Sequence, residues 1–381
     1  MRDFTYHAPT AVYFSKGCIE KNGSLIASYG KKAFIITSRF AEGFRNLALD
    51  DIMALFNEKG IDYFVYDDVE ENPSVESIKR LSDEIRRYSP DFLFGIGGGS
   101  ALDTAKAANV LIKFPADSDP YKVFYDGKTC PNTSNCGRLP SLCVPTTAGS
   151  GSEVMGYAVL TRSDTHTKLR MNQLSFFEAA FLDAKYIENS PQWLLDAGAM
   201  DALAHGIEGY LNKNCNKIGA IWHSYGFELF RGYKHALLAC ELSEEQYEKM
   251  MAAATVQGVA LLQSGSSFPH GMGYPLTHFK NVPHGLASVV TIPDFLESFE
   301  HKERVQYVVL SCGFESIREM RDYISRIVDR NVNISVTREE VDGWAEECSR
   351  LKSRQDRHPE PMDKEKIKQI YLKALEKYIV D

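Results

Sequence analysis

Asp201 and His205 stand four residues apart in Met200-Asp201-Ala202-Leu203-Ala204-His205, a segment whose apolar texture predicts a helix. Residues four apart lie one above the other on a helix face, so a carboxylate and an imidazole there can share one cation. Two more histidines, in Pro269-His270-Gly271 and Pro283-His284-Gly285, are fourteen residues apart and each precedes a glycine. Singly, Asp201 reads as a helix-surface acid, His205 as a core histidine, His270 as a cap and His284 as a turn residue. Jointly, in a chain with only 10 histidines, three neutral nitrogen donors and a carboxylate point to one divalent ion. Fe²⁺ and Zn²⁺ both suit that ligand set, and ligand type does not choose between them.

A second group of residues is suited to phosphate. The segment Phe94-Gly95-Ile96-Gly97-Gly98-Gly99-Ser100-Ala101-Leu102-Asp103-Thr104-Ala105-Lys106 passes from an apolar strand through four glycines into a helical pattern. Glycines let the backbone approach an anion closely, and a helix start aims free N–H groups and partial positive charge at it. The order strand, glycines, helix reads as an anion cradle formed by Gly97, Gly98, Gly99 and Ser100, against the plainer reading of a tight turn. Downstream, Pro145-Thr146-Thr147-Ala148-Gly149-Ser150-Gly151-Ser152-Glu153 follows the apolar stretch from Leu142 to Val144. The hydroxyls of Thr146, Thr147 and Ser150, with the loop's N–H groups, suit a ribose, a phosphate or a nicotinamide amide.

Both groups need a frame. Strand-like runs at 32–37, 63–66 and 92–97 alternate with helical patterns at 52–60, 75–88 and 101–112, which is the signature of βαβ units around a parallel sheet with helices on both faces. Beyond Ser190-Pro191 the texture becomes helical at 193–210, 218–240 and 243–263 and in most of the chain past Asp294. Ser190 reads as the N-cap of a helix and Pro191 as its first residue. The expected organisation is an α/β dinucleotide-binding domain over residues 1–189 and an all-α domain over residues 190–381 for metal and substrate.

Composition narrows the function classes. A net charge of −8 without long like-charge runs argues against nucleic acid or an anionic membrane as partner. The N-terminus lacks a signal-peptide core and no segment reaches the ~18 apolar residues of a membrane span, so the expectation is a soluble cytoplasmic protein. The eight cysteines, at 18, 130, 136, 143, 215, 240, 312 and 348, form no C-x-x-C pair and read as reduced thiols. The tightest group, Cys130, Cys136 and Cys143, would need metal ligands from elsewhere and is discounted.

In chain order, Gly97-Gly98-Gly99-Ser100-x-x-Asp103-x-x-Lys106, Pro145-Thr146-Thr147-x-Gly149-Ser150-Gly151-Ser152-Glu153, and Asp201-x-x-x-His205 followed by His270 and Pro283-His284-Gly285 carry a resemblance. They are similar to the iron-containing (group III) alcohol dehydrogenase family, over nearly the whole chain. The resemblance implies hydride transfer between NAD(H) or NADP(H) and a short aldehyde or primary alcohol, with a metal beside the nicotinamide acting as Lewis acid on the substrate oxygen. It implies that Asp201, His205, His270 and His284 hold that metal. It also implies that Asn72, Gly97, Gly98, Gly99, Ser100, Asp103, Thr146, Thr147, Ser150 and Lys168 serve the cofactor, and that the protein forms a homodimer or a larger assembly.

Two positions depart from the family pattern. Four residues after His270, where the family often has another histidine, stands Tyr274, with His278 four further on. A proton relay here would then use Tyr274, His278, water or the ribose hydroxyls. After Ile35-Ile36-Thr37, where many members carry an aspartate for the adenosine ribose, stands Ser38, followed by Arg39, which leaves NADP(H) open beside NAD(H).

The late segment Lys352-Ser353-Arg354-Gln355-Asp356-Arg357-His358-Pro359 is unusually basic. Beyond a solvated loop, it suggests that Arg354, with Arg357 or His358, pairs with an anionic tail of the substrate, since Arg offers a two-pronged fork to such groups. Sulfoacetaldehyde, phosphonoacetaldehyde and succinate semialdehyde are of that type. The competing readings are a glycerol dehydrogenase-like or dehydroquinate synthase-like enzyme, and a nucleotide-binding protein without turnover.

Overall fold

Six short apolar runs pair into one parallel sheet: β1 (Ala11–Phe14), β2 (Lys32–Thr37), β3 (Asp62–Tyr66), β4 (Phe92–Gly97), β5 (Ser141–Pro145) and β8 (Ala179–Leu182). Their order across the sheet is β1-β8-β5-β4-β2-β3, with β4 and β5 near its middle. In this computed structural model, which describes residues 4–39, 45–126, 134–164 and 167–380, the sheet belongs to the first of two compact units. That unit comprises His7–Thr147 and Gly151–Asn189.

Side chains alternate across a strand, and here both faces are covered. Ala33, Ile35, Phe92, Phe94 and Ile96 enter one core with Ile52, Leu55 and Phe56 of α1 (Leu47–Lys59). On the other face Gly95 lies against the helix after the glycine turn, where an added Cβ would stand 3.2 Å from Leu102 Cδ2 and 3.3 Å from Ala105 Cβ. That helix, α3 (Gly99–Leu111), packs beside α2 (Val75–Tyr88), whose N-cap Ser74 accepts from Ser77 N. Burial on both faces is why the strands read as nearly continuous apolar runs.

The spans at 32–37, 75–88 and 92–97 fall where the sequence places them. The four-residue strands β1 and β8, and an antiparallel pair β6 (Val159–Arg162) and β7 (Thr167–Arg170), are not anticipated. Runs of four are too short for periodicity to register.

The second unit takes Ala148–Ser150 and Ser190 onward, together with the N-terminal residues through Tyr6. Its long helices are α4 (Gln192–Leu211), α5 (Lys217–Ala239), α6 (Glu244–Ser264) and α7 (Phe268–Lys280), followed by the short α8 (His284–Val289). The later helices are α9 (Ile292–Glu297), α10 (Lys302–Ser311), α11 (Ile317–Asp329), α12 (Arg338–Ser349), α13 (Lys352–Gln355) and α14 (Lys364–Ala374). The start of α4 differs from expectation by one position. Pro191, in extended conformation (φ −61°, ψ 147°), is its N-cap, and no side chain caps it.

Helix α4 is buried along most of its length, and a helix wrapped on all sides is expected to be apolar all round. It is not. Asp196, Asp201, His205 and Glu208, with Asn212 just past its end, are buried polar residues. Asp196 is accounted for by Arg330 Nε and Asn331 Nδ2, which both donate to its Oδ2 at 2.7 Å. The other four recur at intervals of four, three and four residues, forming one polar stripe down the helix. Among the described residues, no helix is long and apolar enough to cross a membrane, and the seven described cysteines are free. Cys130 lies outside the described residues.

Candidate functional site

Within the helical unit, three imidazoles face one carboxylate oxygen. From Asp201 Oδ1 the distances are 3.3 Å to His270 Nε2, 3.9 Å to His205 Nε2 and 4.0 Å to His284 Nε2. The donor atoms of Asp201, His270 and His284 lie within 4.8 Å of one another, and the His205 ring stacks on that of His270 at 4.4 Å. Helix α4 supplies Asp201 and His205, the first turn of α7 supplies His270, and the first residue of α8 is His284.

The convergence fits a cation. Asp201 Oδ1 and His270 Nε2 are buried and neither completes a hydrogen bond, whereas buried polar atoms ordinarily find partners. Burial would raise the Asp201 carboxyl, but the imidazoles of His205, His284 and His270 outweigh it and hold the group below the usual carboxylate range. Burial would likewise lower His270, yet the Glu208 and Asp201 carboxylates on either side raise it. Two buried carboxylates flanking one imidazole call for positive charge between them.

Glu208 is the residue that sequence reading missed. It is fully buried, and its Oε1 receives both the Nδ1 edge of His270 and the His270 backbone N–H (3.1 Å), while its Oε2 accepts from Ser267 N (2.6 Å). The carboxylate thus satisfies free N–H groups at the start of α7 and fixes the ring of a candidate ligand in the same stroke. Its signal was available. It is seven residues after Asp201 and three after His205, on the same helix face.

Close packing brings α8 onto α4. A Cβ on Gly285 would stand 1.9 Å from Ala197 O and 2.8 Å from Asp201 Cβ, so only glycine lets the residue beside His284 lie against the turn that carries Asp201.

Next to the cluster, the Tyr274 ring stacks on His284 (5.9 Å, 16° between planes), and its hydroxyl accepts from Arg354 Nη2 at 3.3 Å. Arg354, on α13, is 9% exposed, and its Nη1 donates to Ser266 Oγ. Among the described residues no carboxylate oxygen lies within 4.0 Å of this guanidinium. Arg357 sits alongside, its Nη1 3.5 Å from Ser266 O. His278, one turn beyond Tyr274, is exposed and packs edge-on against Phe279.

His358 corrects an expectation. It is buried among Phe268, Phe295 and Phe299, with ring centroids 4.9–5.6 Å away, and burial pushes its pKa down to about 4. A neutral imidazole in an aromatic nest does not pair with an anion.

The α/β unit holds the cradle. Gly97, at φ +147°, turns the chain out of β4 in a conformation that a side chain disfavours, and a Cβ there would meet Ala101 Cβ at 2.7 Å. Gly98 is the N-cap of α3, Gly99 opens it, and Ser100 follows, all three half-buried. A Cβ on Gly98 would stand 3.0 Å from the Thr147 side chain, and Thr146 N donates to Gly97 O at 3.0 Å, so the two loops meet. Asn72 takes the left-handed conformation (φ 57°), and its Oδ1 accepts from Lys168 Nζ at 2.8 Å. Burial lowers the Lys168 pKa against the opposing pull of Glu71.

Three further cofactor candidates sit as follows. Asp103 is bonded within the protein: Oδ1 accepts from Ser152 Oγ (2.6 Å) and Oδ2 from Val159 N (2.8 Å). Ser38 bridges Asp68, and the Arg39 guanidinium pairs with Asp67 (3.3 Å) and Asp68 (3.7 Å) on the surface. Ser150 is half-buried in the short stretch that clusters with the helical unit.

The chain matches one known family along most of its length. Residues 9–184 match the family "Iron-containing alcohol dehydrogenase" and residues 196–375 match "Fe-containing alcohol dehydrogenase family, C-terminal". An iron-containing alcohol dehydrogenase from Thermotoga maritima is 31% identical, with a TM-score of 0.86 over 98% of this chain and 100% of that one. Lactaldehyde reductase of Escherichia coli K12 is 28% identical over 287 residues, 74% of this chain and 72% of the relative. The NADPH-dependent butanol dehydrogenase of Clostridium saccharobutylicum is 28% identical over 294 residues, 75% of this chain and 71% of the relative.

Proposed function

We propose the following reaction for this chain, which belongs to the iron-containing alcohol dehydrogenase family: reversible reduction of a short aldehyde to its primary alcohol at the expense of NADH or NADPH. The observation that carries it is the convergence of His205, His270 and His284 on the single buried oxygen of Asp201. Those four residues would hold one divalent ion, iron or zinc, which when bound supplies a Lewis acid for the substrate oxygen.

The chain's own residues do the rest. Gly97, Gly98, Gly99 and Ser100 take the pyrophosphate on the start of α3, with Asn72, Lys168, Thr146, Thr147 and Ser150 around the remainder of the cofactor. Ser38 is assigned to the adenosine ribose. The names of two relatives, a lactaldehyde reductase and an NADPH-dependent butanol dehydrogenase, support a small carbonyl or alcohol substrate. The alcohol proton is assigned to Tyr274, whose ring stacks on that of His284; exposed His278 is left outside the path. In this reading residues 1–189 bind the dinucleotide and residues 190–381 bind metal and substrate, in a cytoplasmic homodimer or larger assembly.

The substrate carries an anionic end. A buried guanidinium is costly without a counter-charge, and among the described residues the Arg354 guanidinium bonds only to hydroxyls, those of Ser266 and Tyr274. A carboxylate, sulfonate or phosphonate tail two or three atoms from the carbonyl would complete it. Turnover of succinate semialdehyde, sulfoacetaldehyde and butanal by wild type and Arg354→Ala tests this. Charge-assisted hydrogen bonds contribute about 1.5–3 kcal/mol, so KM for the anionic aldehydes should rise roughly 10- to 100-fold while that for butanal stays within about threefold. Equal effects on charged and neutral aldehydes would remove the anionic tail from the account.

A further inference from the structure

Ser100, Asp103 and Lys106 are spaced by three along α3, on one side of the helix; Ser100 fastens the loop at Asn72, and the other two fasten residues 152–159. Ser100 Oγ accepts from Asn72 N at 3.2 Å. Asp103 takes Ser152 Oγ and the N–H of Val159, the first residue of β6. Lys106 reaches furthest. Its ammonium lies 2.7 Å from Ser152 Oγ, 3.1 Å from Ser152 O, 3.1 Å from Met155 O, 2.7 Å from Tyr157 O and 2.8 Å from Asp103 Oδ1. Five acceptors share its three N–H groups, and the side chain is 0% exposed, so Lys106 is saturated and out of any ligand's reach.

The β6–β7 pair carries this hold back to the cofactor loops. Thr161 on β6 donates from N to Pro73 O (2.8 Å) and from Oγ1 to Asn72 O (2.9 Å). Its partner in the antiparallel register is Lys168, which donates to Asn72 Oδ1. Asn72 is therefore gripped by Ser100, Thr161 and Lys168, in a left-handed conformation that asparagine tolerates better than most side chains.

We infer that Asp103 and Lys106 are positioning residues: they touch no cofactor, and they fix residues 152–159 and, through the β6–β7 pair, Asn72 and Lys168 in their binding arrangement before the cofactor arrives. This rests on the nicotinamide reading given above. Segments already ordered are not ordered at the expense of binding energy, so the spine lowers the cofactor dissociation constant without entering the chemical step.

The test is NADH and NADPH titration by nucleotide fluorescence, with kcat at saturating cofactor and metal content, for wild type and the double variant Asp103→Asn/Lys106→Met. Replacing both charges avoids leaving one buried alone. The expected result is at least a tenfold rise in cofactor Kd, with kcat and metal content within about threefold of wild type. An unchanged Kd, with or without lost kcat or stability, overturns the inference. Should the double variant not fold, Thr161→Val, which cuts only the hydroxyl bond to Asn72, decides between a rise of threefold or more and none. Wild type that binds neither nucleotide would instead defeat the nicotinamide reading itself, and the inference with it.

Discussion

At the scale of residues, the site depends on what stands behind its ligands. Glu208 bonds to both His270 and the first turn of α7 through its two oxygens. Glu208→Gln keeps one acceptor oxygen, turns an amide N–H towards the N–H groups the other oxygen served, and loses the charge that makes the imidazole a better donor. It should weaken metal retention about 10- to 100-fold, measured by competition with a chelator, and cost the metal-free protein about 1–3 kcal/mol of unfolding free energy. An unaltered metal affinity would reduce Glu208 to a helix cap. The four candidate ligands were legible because histidines are scarce and Asp201 and His205 keep helical spacing. Glu208 was legible by its spacing of seven from Asp201 and three from His205, but its burial and its bond to His270 depend on α7, which is remote in sequence. The basic run at 352–358 was half legible: its composition does not tell that Arg354 ends against hydroxyls while His358 is folded into a nest of phenylalanines.

At the scale of elements, glycines set how close the ligand-bearing helices come. Gly285→Ala would drive a methyl into Ala197 O and the Asp201 side chain, so α8 must back away and take His284 with it. The expected cost is about 2 kcal/mol or more in unfolding free energy, with loss of bound metal out of proportion to that cost. Retained metal stoichiometry in the variant would mean that the close approach of α8 to α4 is dispensable. The parallel strands and their helices were legible because buried runs of five or six residues alternate with amphipathic ones of thirteen or fourteen. The β6–β7 pair was not. Its four-residue strands gain their order from Asp103 and Asn72, contacts remote in sequence.

At the scale of the molecule, two buried histidines outside the metal cluster make it acid-labile. Burial pushes both His223 and His358 down to about 4, well below the value near 6.5 of an unfolded chain. Between those values the unfolded state binds protons that the native state refuses, so stability is fully present above pH 6.5 and falls as pH drops towards 4, by about 3 kcal/mol per histidine at most. Urea unfolding as a function of pH should show it, and His358→Phe, suited to its aromatic nest, should flatten the slope by about one proton. A slope unchanged by that substitution would place the acid lability elsewhere.

The claim on which the rest depends is that the four-residue cluster holds the metal that turnover requires. The direct measurement is anaerobic, aldehyde-dependent oxidation of NADH and NADPH by chelator-stripped protein titrated separately with Fe²⁺ and Zn²⁺, wild type beside Asp201→Asn. The expected result is negligible activity in the stripped protein, recovery that saturates at one ion per chain, and no comparable recovery in Asp201→Asn. Turnover that survives stripping, or an Asp201→Asn protein that recovers as wild type does, would contradict it.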